Sequence, residues 1–190
     1  MSREETLGKA SKELMWKEPF YGFFLLMLNK VWNNKVPTAG VSKHNINYQL
    51  AINEDFWNSF SENHRIGLLK HELLHIAYFH LSMYFNFPDK RLANIAMDME
   101  INQYIDSSWL PGGDLSPDQF KQLKESVKAE LETAKENGAS QEDLLAISKK
   151  LPARGIMIDD YAELNLDRKA GSRYYYDKLK QLQDEKDKNG

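Results

Sequence analysis

The chain has 190 residues, of which 42% are hydrophobic and none is cysteine, and its formal net charge is −3 at pH 7. This length and composition suit one domain with a hydrophobic core, and the lack of cysteine excludes disulfide bonds and thiolate metal sites. The basic residues are spread along the chain, which argues against a nucleic-acid partner. Any protein ligand to a metal ion must therefore be His, Asp or Glu.

The N-terminal segment lacks the features of a secretion signal or a membrane anchor. Residues 1–14 are rich in charged side chains and have no apolar core of the kind found in signal peptides. The apolar stretch PFYGFFLLML, at 19–28, is shorter than the roughly 20 residues that a helix needs to span a bilayer. We therefore expect a cytoplasmic protein with no membrane partner.

The first quarter of the chain predicts a helix, a turn and a strand. Apolar residues recur at helical spacing from Ser11 to about Trp32, with a break or kink at Pro19, and we expect this apolar face to pack in the core. Residues 36–41 contain Pro and Gly and can hold only a short strand or a turn. Ile46–Ile52 alternates apolar and polar residues, which predicts a strand with one buried face.

The middle of the chain predicts helices separated by turns. Small polar residues that cap helix N-termini precede the apolar runs, and Pro and Gly mark the breaks. The predicted helices begin at residues 53–55, at Ser61 (continuing through His80) and at Lys90 (continuing to about Ile105), with a turn at 88–89 and a loop at 108–117.

The last part of the chain is charged and predicts helices on the surface. We expect helices at 117–138 and 140–150, and a final helix that Ser172 caps. The charged residues at 186–190 predict a disordered tail. Residues 1–185 are expected to form a single domain.

The stretch LLKHELLHIAYFHL, at 68–81, places three histidines and a glutamate in an apolar run. On a helix, His71 and His75 lie about 40° apart on one face, with β-carbons roughly 5–6 Å apart, so both imidazoles can reach one Zn²⁺. Glu72 is then placed to take a proton from a water molecule that the metal activates, as in the HExxH motif. Because the helix is apolar nearly all round, it lies in the core, where ionisable groups need a partner such as a metal ion.

His80 is one candidate for a third ligand. It follows His75 by five residues and lies about 140° round the helix from it. His80 can therefore bind the same ion only if the helix ends or kinks near Phe79. On an unbroken helix it would instead support a ligand or cap the helix.

Asp98, in the sequence NIAMDMEIN, is the candidate that we favour. With Asn94 and Asn102 it forms a polar stripe at i, i+4 and i+8 of the predicted helix. Its alternative role is to accept a hydrogen bond from His71 or His75 and so fix the tautomer of that ring. Glu100 lies about 200° from Asp98 on the helix, and we expect it to face solvent.

Several segments of the chain resemble those of a known family and occur in the same order. They are EPFYGFFLLML, VPTAGV, INYQL followed by NEDFW, LLKHELLHIAYFH, LANIAMDMEINQYI and SRYYYDKL. They resemble the putative metallopeptidase domain of bacteria and phages that often precedes a von Willebrand A-like domain. The resemblance implies an α+β, predominantly helical, zincin-like fold, with a small sheet beside the HExxH helix that offers an edge to an extended peptide. Relative to that family, the charged segment at about 118–166 is expected to be an insertion and a candidate surface for a protein partner.

These observations predict a zinc-dependent metallopeptidase that acts on peptides or proteins. His71, His75 and Asp98 (alternatively His80) would hold Zn²⁺, and Glu72 would be the general base. Two His and a carboxylate also suit Fe(II), but HExxH on one helix favours zinc. The alternative is a catalytically inactive, metal-stabilised protein-interaction domain, whose closed site would use both Asp98 and His80 as ligands.

Overall fold

The chain folds into helices around a small three-stranded sheet, which confirms the α+β, predominantly helical prediction. The structure, a computed structural model, describes residues 1–113, 115–148, 150–151 and 155–189. The elements are α1 (Arg3–Lys17), α2 (Pro19–Leu26), β1 (Asn29–Trp32), β2 (Ala39–His44), β3 (Asn47–Ile52), α3 (Glu54–Asn58), α4 (Glu62–Ala77), α5 (His80–Met83), α6 (Lys90–Asn102), α7 (Pro117–Glu136), α8 (Gln141–Ser148) and α9 (Ser172–Asn189), with 3-10 turns at Tyr84–Asn86, Ser107–Trp109 and Ile158–Leu164. None of the helices in these ranges is both long enough and apolar enough to cross a membrane.

The predicted helix over 11–32 is wrong at both ends. Helix α1 already begins at Arg3, where the side chains of Ser2 and Glu5 form a capping box. The chain breaks at Glu18, and Pro19 starts a separate helix because proline is well accommodated at the first helical position. Residues 29–32 are not helical but form strand β1, which pairs with β3 in parallel.

The apolar face of α2 is divided between the core and the surface. Leu25 is buried, as is Leu28 just after the helix. Phe20, Phe23 and Met27 are 69%, 62% and 77% exposed, so the expectation that this face packs in the core is wrong for these three residues.

Strand β3 is the centre of the sheet, and β2 is an edge strand antiparallel to it. The strand begins at Asn47 rather than Ile46, because Asn45 and Ile46 form the tight turn between β2 and β3 and Ile46 is exposed. Leu50 and Ile52 are buried as predicted.

Helix α4 is shorter than predicted. It ends at Ala77, and Phe79 has left-handed backbone angles, with φ 58° and ψ 22°. His80 therefore starts a separate short helix, α5, and its side chain turns back toward α4. Helix α6 starts at Lys90, as predicted, with Asp89 as its N-cap, and it ends at Asn102 rather than at Ile105.

The C-terminal helix contradicts the prediction of a disordered tail. Helix α9 begins at Ser172, which is its first residue rather than its cap, and continues through Asn189, so residues 186–189 are helical. Helices α7 and α8 lie within the predicted helical ranges. Residues 114, 149, 152–154 and 190, which belong to the predicted loop, helix, insertion and tail, lie outside the described residues.

Helix α6 lies between two hydrophobic clusters and is fixed by both. Ile101 belongs to the cluster that buries Leu69, Leu73 and Leu74 of α4. Met97 and Met99 belong to a second cluster, which they share with Tyr175, Tyr176 and Leu179 of α9. Dense packing on both sides holds α6 in a defined position relative to α4.

Gly67 lets the Ser107–Trp109 turn approach α4 one helical turn before His71. A β-carbon at Gly67 would lie 2.1 Å from the carbonyl oxygen of Trp109. We expect Gly67→Ala to lower the free energy of unfolding by about 1–3 kcal/mol, because backbone has to move to relieve the clash. Gly8→Ala in α1, where nothing lies within 4 Å, is the matched control and should be neutral or stabilising. Chemical denaturation of both variants measures the difference, and equal stabilities would contradict this account of Gly67.

Candidate metal centre

Three ligating atoms from α4 and α6 converge on one point. The Nε2 atoms of His71 and His75 are 3.0 Å apart, because the two residues lie one helical turn from each other on the same face. Oδ1 of Asp98 lies 3.5 Å from Nε2 of His71 and 3.3 Å from Nε2 of His75. The three residues form a group that could hold a metal ion.

The spacing of these atoms suits a tetrahedral ion. In a regular tetrahedron the ligands are about 1.6 times the metal–ligand distance apart, which is roughly 3.3 Å for Zn²⁺ with bonds of 2.0–2.1 Å. The three observed separations, 3.0, 3.3 and 3.5 Å, are close to this value. Two imidazoles and a carboxylate are also a ligand set that zinc accepts. The spacing and chemistry of the three residues therefore fit a zinc ion.

Asn102 orients the ring of His71. Its Oδ1 lies 2.8 Å from Nδ1 of His71, and its Nδ2 donates to the carbonyl oxygen of Ile156 at 2.8 Å. Because the Asn102 amide nitrogen is used elsewhere, its oxygen must accept a hydrogen from Nδ1 of His71. Nε2 of His71 then keeps its lone pair, which is the form that binds a metal.

His80 contacts His75 on the side away from the three ligating atoms. Nδ1 of His80 lies 2.9 Å from Nδ1 of His75, whereas His71 and Asp98 are near Nε2 of His75. Nε2 of His80 lies 3.1 Å from Oε2 of Glu100, which also accepts a hydrogen bond from the backbone N–H of Ser172 at 2.8 Å. The structure thus brings Asp98, and not His80, to the Nε2 atoms of the histidine pair.

Opposite charges favour ionised groups in this site. Burial alone lowers the pKa of His75, but Asp98 and the charge of Glu72 outweigh it, so that the pKa lies above its ordinary value. Burial alone raises the pKa of Asp98, but the hydrogen bond with His75 and the charges of the three histidines hold it below the ordinary value. Asp98 is therefore a carboxylate at neutral pH.

Glu72 and the three converging residues line one open cavity. Its volume is about 690 Å³, and Glu72 is itself buried, with 6% of its surface exposed. Apart from this group, the walls are mainly apolar and aromatic, including Phe56, Phe60, Leu68, Leu81, Tyr84 and Phe85. A chemical group that enters the cavity would therefore meet acidic and histidine side chains surrounded by apolar walls.

The edge strand β2 forms one wall of the cavity. Ala39, Gly40 and Val41 line it, and no other strand in the part of the chain described here pairs with the outer edge of β2. The backbone N–H of Asn53 donates to the carbonyl oxygen of Thr38, so the hydrogen-bonded pairs of β2 and β3 include Gly40–Ala51 and alternate from there. The N–H and C=O groups of Val41 therefore point away from β3, toward the open edge.

The structure brings His71, His75 and Asp98 together, whereas the expectation that Glu100 faces solvent is wrong. The side chain of Glu100 is only 13% exposed and does not face solvent, because α9 covers that side of α6. The contact of Asn102 with His71 was not predicted, although Asn102 belongs to the polar stripe of α6 that the sequence shows. Helix α4 ends before Phe79, and this break turns the ring of His80 back toward His75.

Comparison with known proteins gives a family and no closer relative. No curated protein matches the chain, and no solved structure matches it either. The profile of one family matches residues 2–159, which include all of the residues in the site except Ser172. The chain belongs to the family described as a putative metallopeptidase domain.

Proposed function

We propose that this chain is a zinc-dependent metallopeptidase in which His71, His75 and Asp98 hold the metal ion and Glu72 is the general base. The observation that carries the proposal is the convergence of three ligating atoms, 3.0–3.5 Å apart, in a cavity that Glu72 also lines. When bound, zinc would acidify a water molecule and polarise the carbonyl group of the scissile peptide bond.

Glu72 would move the proton during hydrolysis. Its carboxylate would accept a proton from the attacking water, whose oxygen bonds to the carbonyl carbon of the substrate. The same carboxyl group would then give the proton to the nitrogen of the departing amine as the C–N bond breaks. Glu72 follows His71 directly on α4, so it lies beside the ligands without competing with Asp98 for the third position.

The number of ligating atoms supports an enzyme over a structural metal site. A structural zinc site normally has four protein ligands, whereas a catalytic site has three and an open position. The group that the described residues bring together has three members, and His80 contacts His75 from the opposite side of the ring. These contacts favour catalysis over the alternative of an inactive interaction domain.

The edge of β2 suggests how a peptide would lie in the cavity. An extended peptide can add to an open sheet edge through main-chain hydrogen bonds. Here the free edge of β2 borders the cavity that holds Glu72, and the apolar walls fit a large apolar side chain next to the scissile bond. This zincin-like arrangement, with the sheet beside the HExxH helix, is part of the proposal.

We propose the charged helices α7 and α8 as the surface for a protein partner. Both helices are mostly exposed, since Val127 is the buried residue of α7 and no described residue of α8 is buried. Neither helix lines the cavity. Charge substitutions on these helices are therefore expected to leave zinc binding unchanged.

Cleavage of a peptide library tests the proposed activity. Zinc-loaded protein is incubated with unstructured peptides, and the products are identified by mass spectrometry. We expect cuts next to large apolar residues, which a zinc chelator abolishes and added zinc restores, because the cavity walls are apolar. If fully zinc-loaded protein cut none of the peptides, the proposed activity would be wrong.

Removing one N–H from the edge of β2 tests the proposed mode of binding. Val41→Pro deletes an N–H that points away from β3, and proline is tolerated on edge strands. We expect KM to rise, since a main-chain hydrogen bond to the peptide is lost. Lys43→Pro is the matched control, because Lys43 has the same orientation in β2 but does not line the cavity. Equal KM values for the two variants would argue against binding along β2.

A further inference from the structure

His80, which is buried, and Glu100, which is partly buried, are ionisable groups that the proposed hydrolysis does not use. The side chains of His80 and Glu100 are 1% and 13% exposed. Burying such groups costs free energy unless they are paired and hydrogen-bonded. Their hydrogen bonds form one continuous chain that runs from His75 to the start of α9.

The direction of these hydrogen bonds follows from Glu100. A carboxylate can only accept, so the hydrogen between Glu100 and His80 is on Nε2 of His80. The neutral His80 ring then has a lone pair on Nδ1, which must accept a hydrogen from Nδ1 of His75. Nε2 of His75 is left as the atom that can bind a metal, and it is the atom that faces His71 and Asp98.

Helix α9 holds Glu100 in place. The backbone N–H of Ser172, the first residue of α9, donates to Oε2 of Glu100 at 2.8 Å. The positive end of an 18-residue helix favours a carboxylate there. Tyr175 fixes α9 against α6, since it is fully buried and its hydroxyl accepts a hydrogen bond from Gln103 at 2.9 Å. Glu100 is thus fixed between two helices.

We propose that His80 and Glu100 are positioning residues that set the tautomer of His75, and that α9 anchors them, so the C-terminal helix controls the affinity for zinc. This inference rests on the proposed metal site and not on peptide hydrolysis. It extends the functional centre to residues 172–189, beyond the 2–159 range that the family profile matches.

Substitution of Glu100 tests the role of the chain of hydrogen bonds. Glu100→Ala removes the acceptor for His80, and we expect the dissociation constant for zinc to rise about 10- to 100-fold, as for other partners of metal ligands. Glu100→Gln keeps an acceptor oxygen and should restore most of the affinity. Asp177→Ala removes an exposed carboxylate of α9 that pairs with Arg173, and it should leave the affinity unchanged. Competition with a chelating dye measures the dissociation constant for zinc of all three variants.

Two substitutions of Ser172 isolate the contribution of α9. Ser172→Ala keeps the backbone N–H that donates to Glu100, whereas Ser172→Pro removes it, and proline is favoured in the first turn of a helix. We expect zinc affinity to fall for the proline variant and to remain close to wild type for the alanine variant. Equal affinities in these two variants would overturn the role of α9.

Nitrogen NMR of the His80 ring tests the inference without any substitution and without zinc. We expect hydrogen on Nε2 of His80 and a bare Nδ1 that accepts from His75. A hydrogen on Nδ1 of His80 would overturn the inference, as would Glu100→Ala protein that folds and binds zinc as tightly as wild type. If Glu100→Ala fails to fold, the tautomer of His80 in the wild type decides whether the inference holds. If the tautomer and the zinc affinities are as predicted but no peptide is cleaved, only the proposed hydrolysis is contradicted.

Discussion

Glu72→Gln should abolish peptide cleavage while leaving zinc binding intact. The amide of glutamine has nearly the shape of the carboxylate but cannot accept a proton from the attacking water. General-base catalysis contributes about 100- to 10,000-fold to rates, so we expect kcat to fall by at least two orders of magnitude. Because Glu72 is not one of the three converging residues, the zinc content of the variant should equal that of the wild type.

The control for Glu72→Gln is the same change elsewhere on α4. Glu62 lies at the start of the helix, is exposed and pairs with Lys9. Glu62→Gln should keep full activity, since surface ion pairs contribute little to stability. If Glu72→Gln cleaved peptides as fast as Glu62→Gln, another group would have to be the base.

Asp98→Ala should cause the largest loss of zinc affinity among substitutions outside the histidine pair. Its Oδ1 is the third ligating atom, 3.3–3.5 Å from the two imidazole nitrogens. His80→Ala removes only a partner of a ligand, which typically costs about 10- to 100-fold in affinity, and we expect Asp98→Ala to cost more than this. Titration of metal-free protein with zinc in the presence of a competing chelator gives both dissociation constants.

Thermal unfolding provides an independent measure of the same ranking. Zinc at about 100 times its dissociation constant should stabilise the folded state by about 2.7 kcal/mol, and this gain should disappear for Asp98→Ala at the same zinc concentration. His44→Ala, which removes an exposed imidazole at the end of β2, controls for loose binding of zinc by surface histidines. A larger loss for His80→Ala than for Asp98→Ala would reverse the assignment of the third ligand.

The parts of the site that depend on helical periodicity could be predicted from the sequence. His71 and His75 lie on one face of α4, and Asp98 and Asn102 lie on one face of α6, because spacing of four residues places side chains together on any regular helix. The prediction that Asp98 lies near the histidine pair required only that α4 and α6 pack together. Their shared hydrophobic cluster, which includes Leu73 and Ile101, provides this contact.

The parts that depend on contacts between distant segments could not be predicted. Strand β1 is four residues long and exists because it pairs with β3, which local pattern does not reveal. Glu100 is on the far side of α6 from Asp98, and α9, which packs there, begins more than 70 residues further along the chain. Phenylalanine rarely adopts left-handed backbone angles, so the sequence does not predict the turn at Phe79 that directs His80 to His75.

The zinc content of the purified protein tests the central claim most directly. Protein is stripped with a chelator, reloaded with zinc, passed through a desalting column and measured by elemental analysis. We predict one zinc ion per chain in the wild type, and much less in His71→Ala, His75→Ala and Asp98→Ala proteins that remain folded. If the folded wild-type protein retained no zinc and took up none on titration, the proposed metal centre and the peptidase activity built on it would both be wrong.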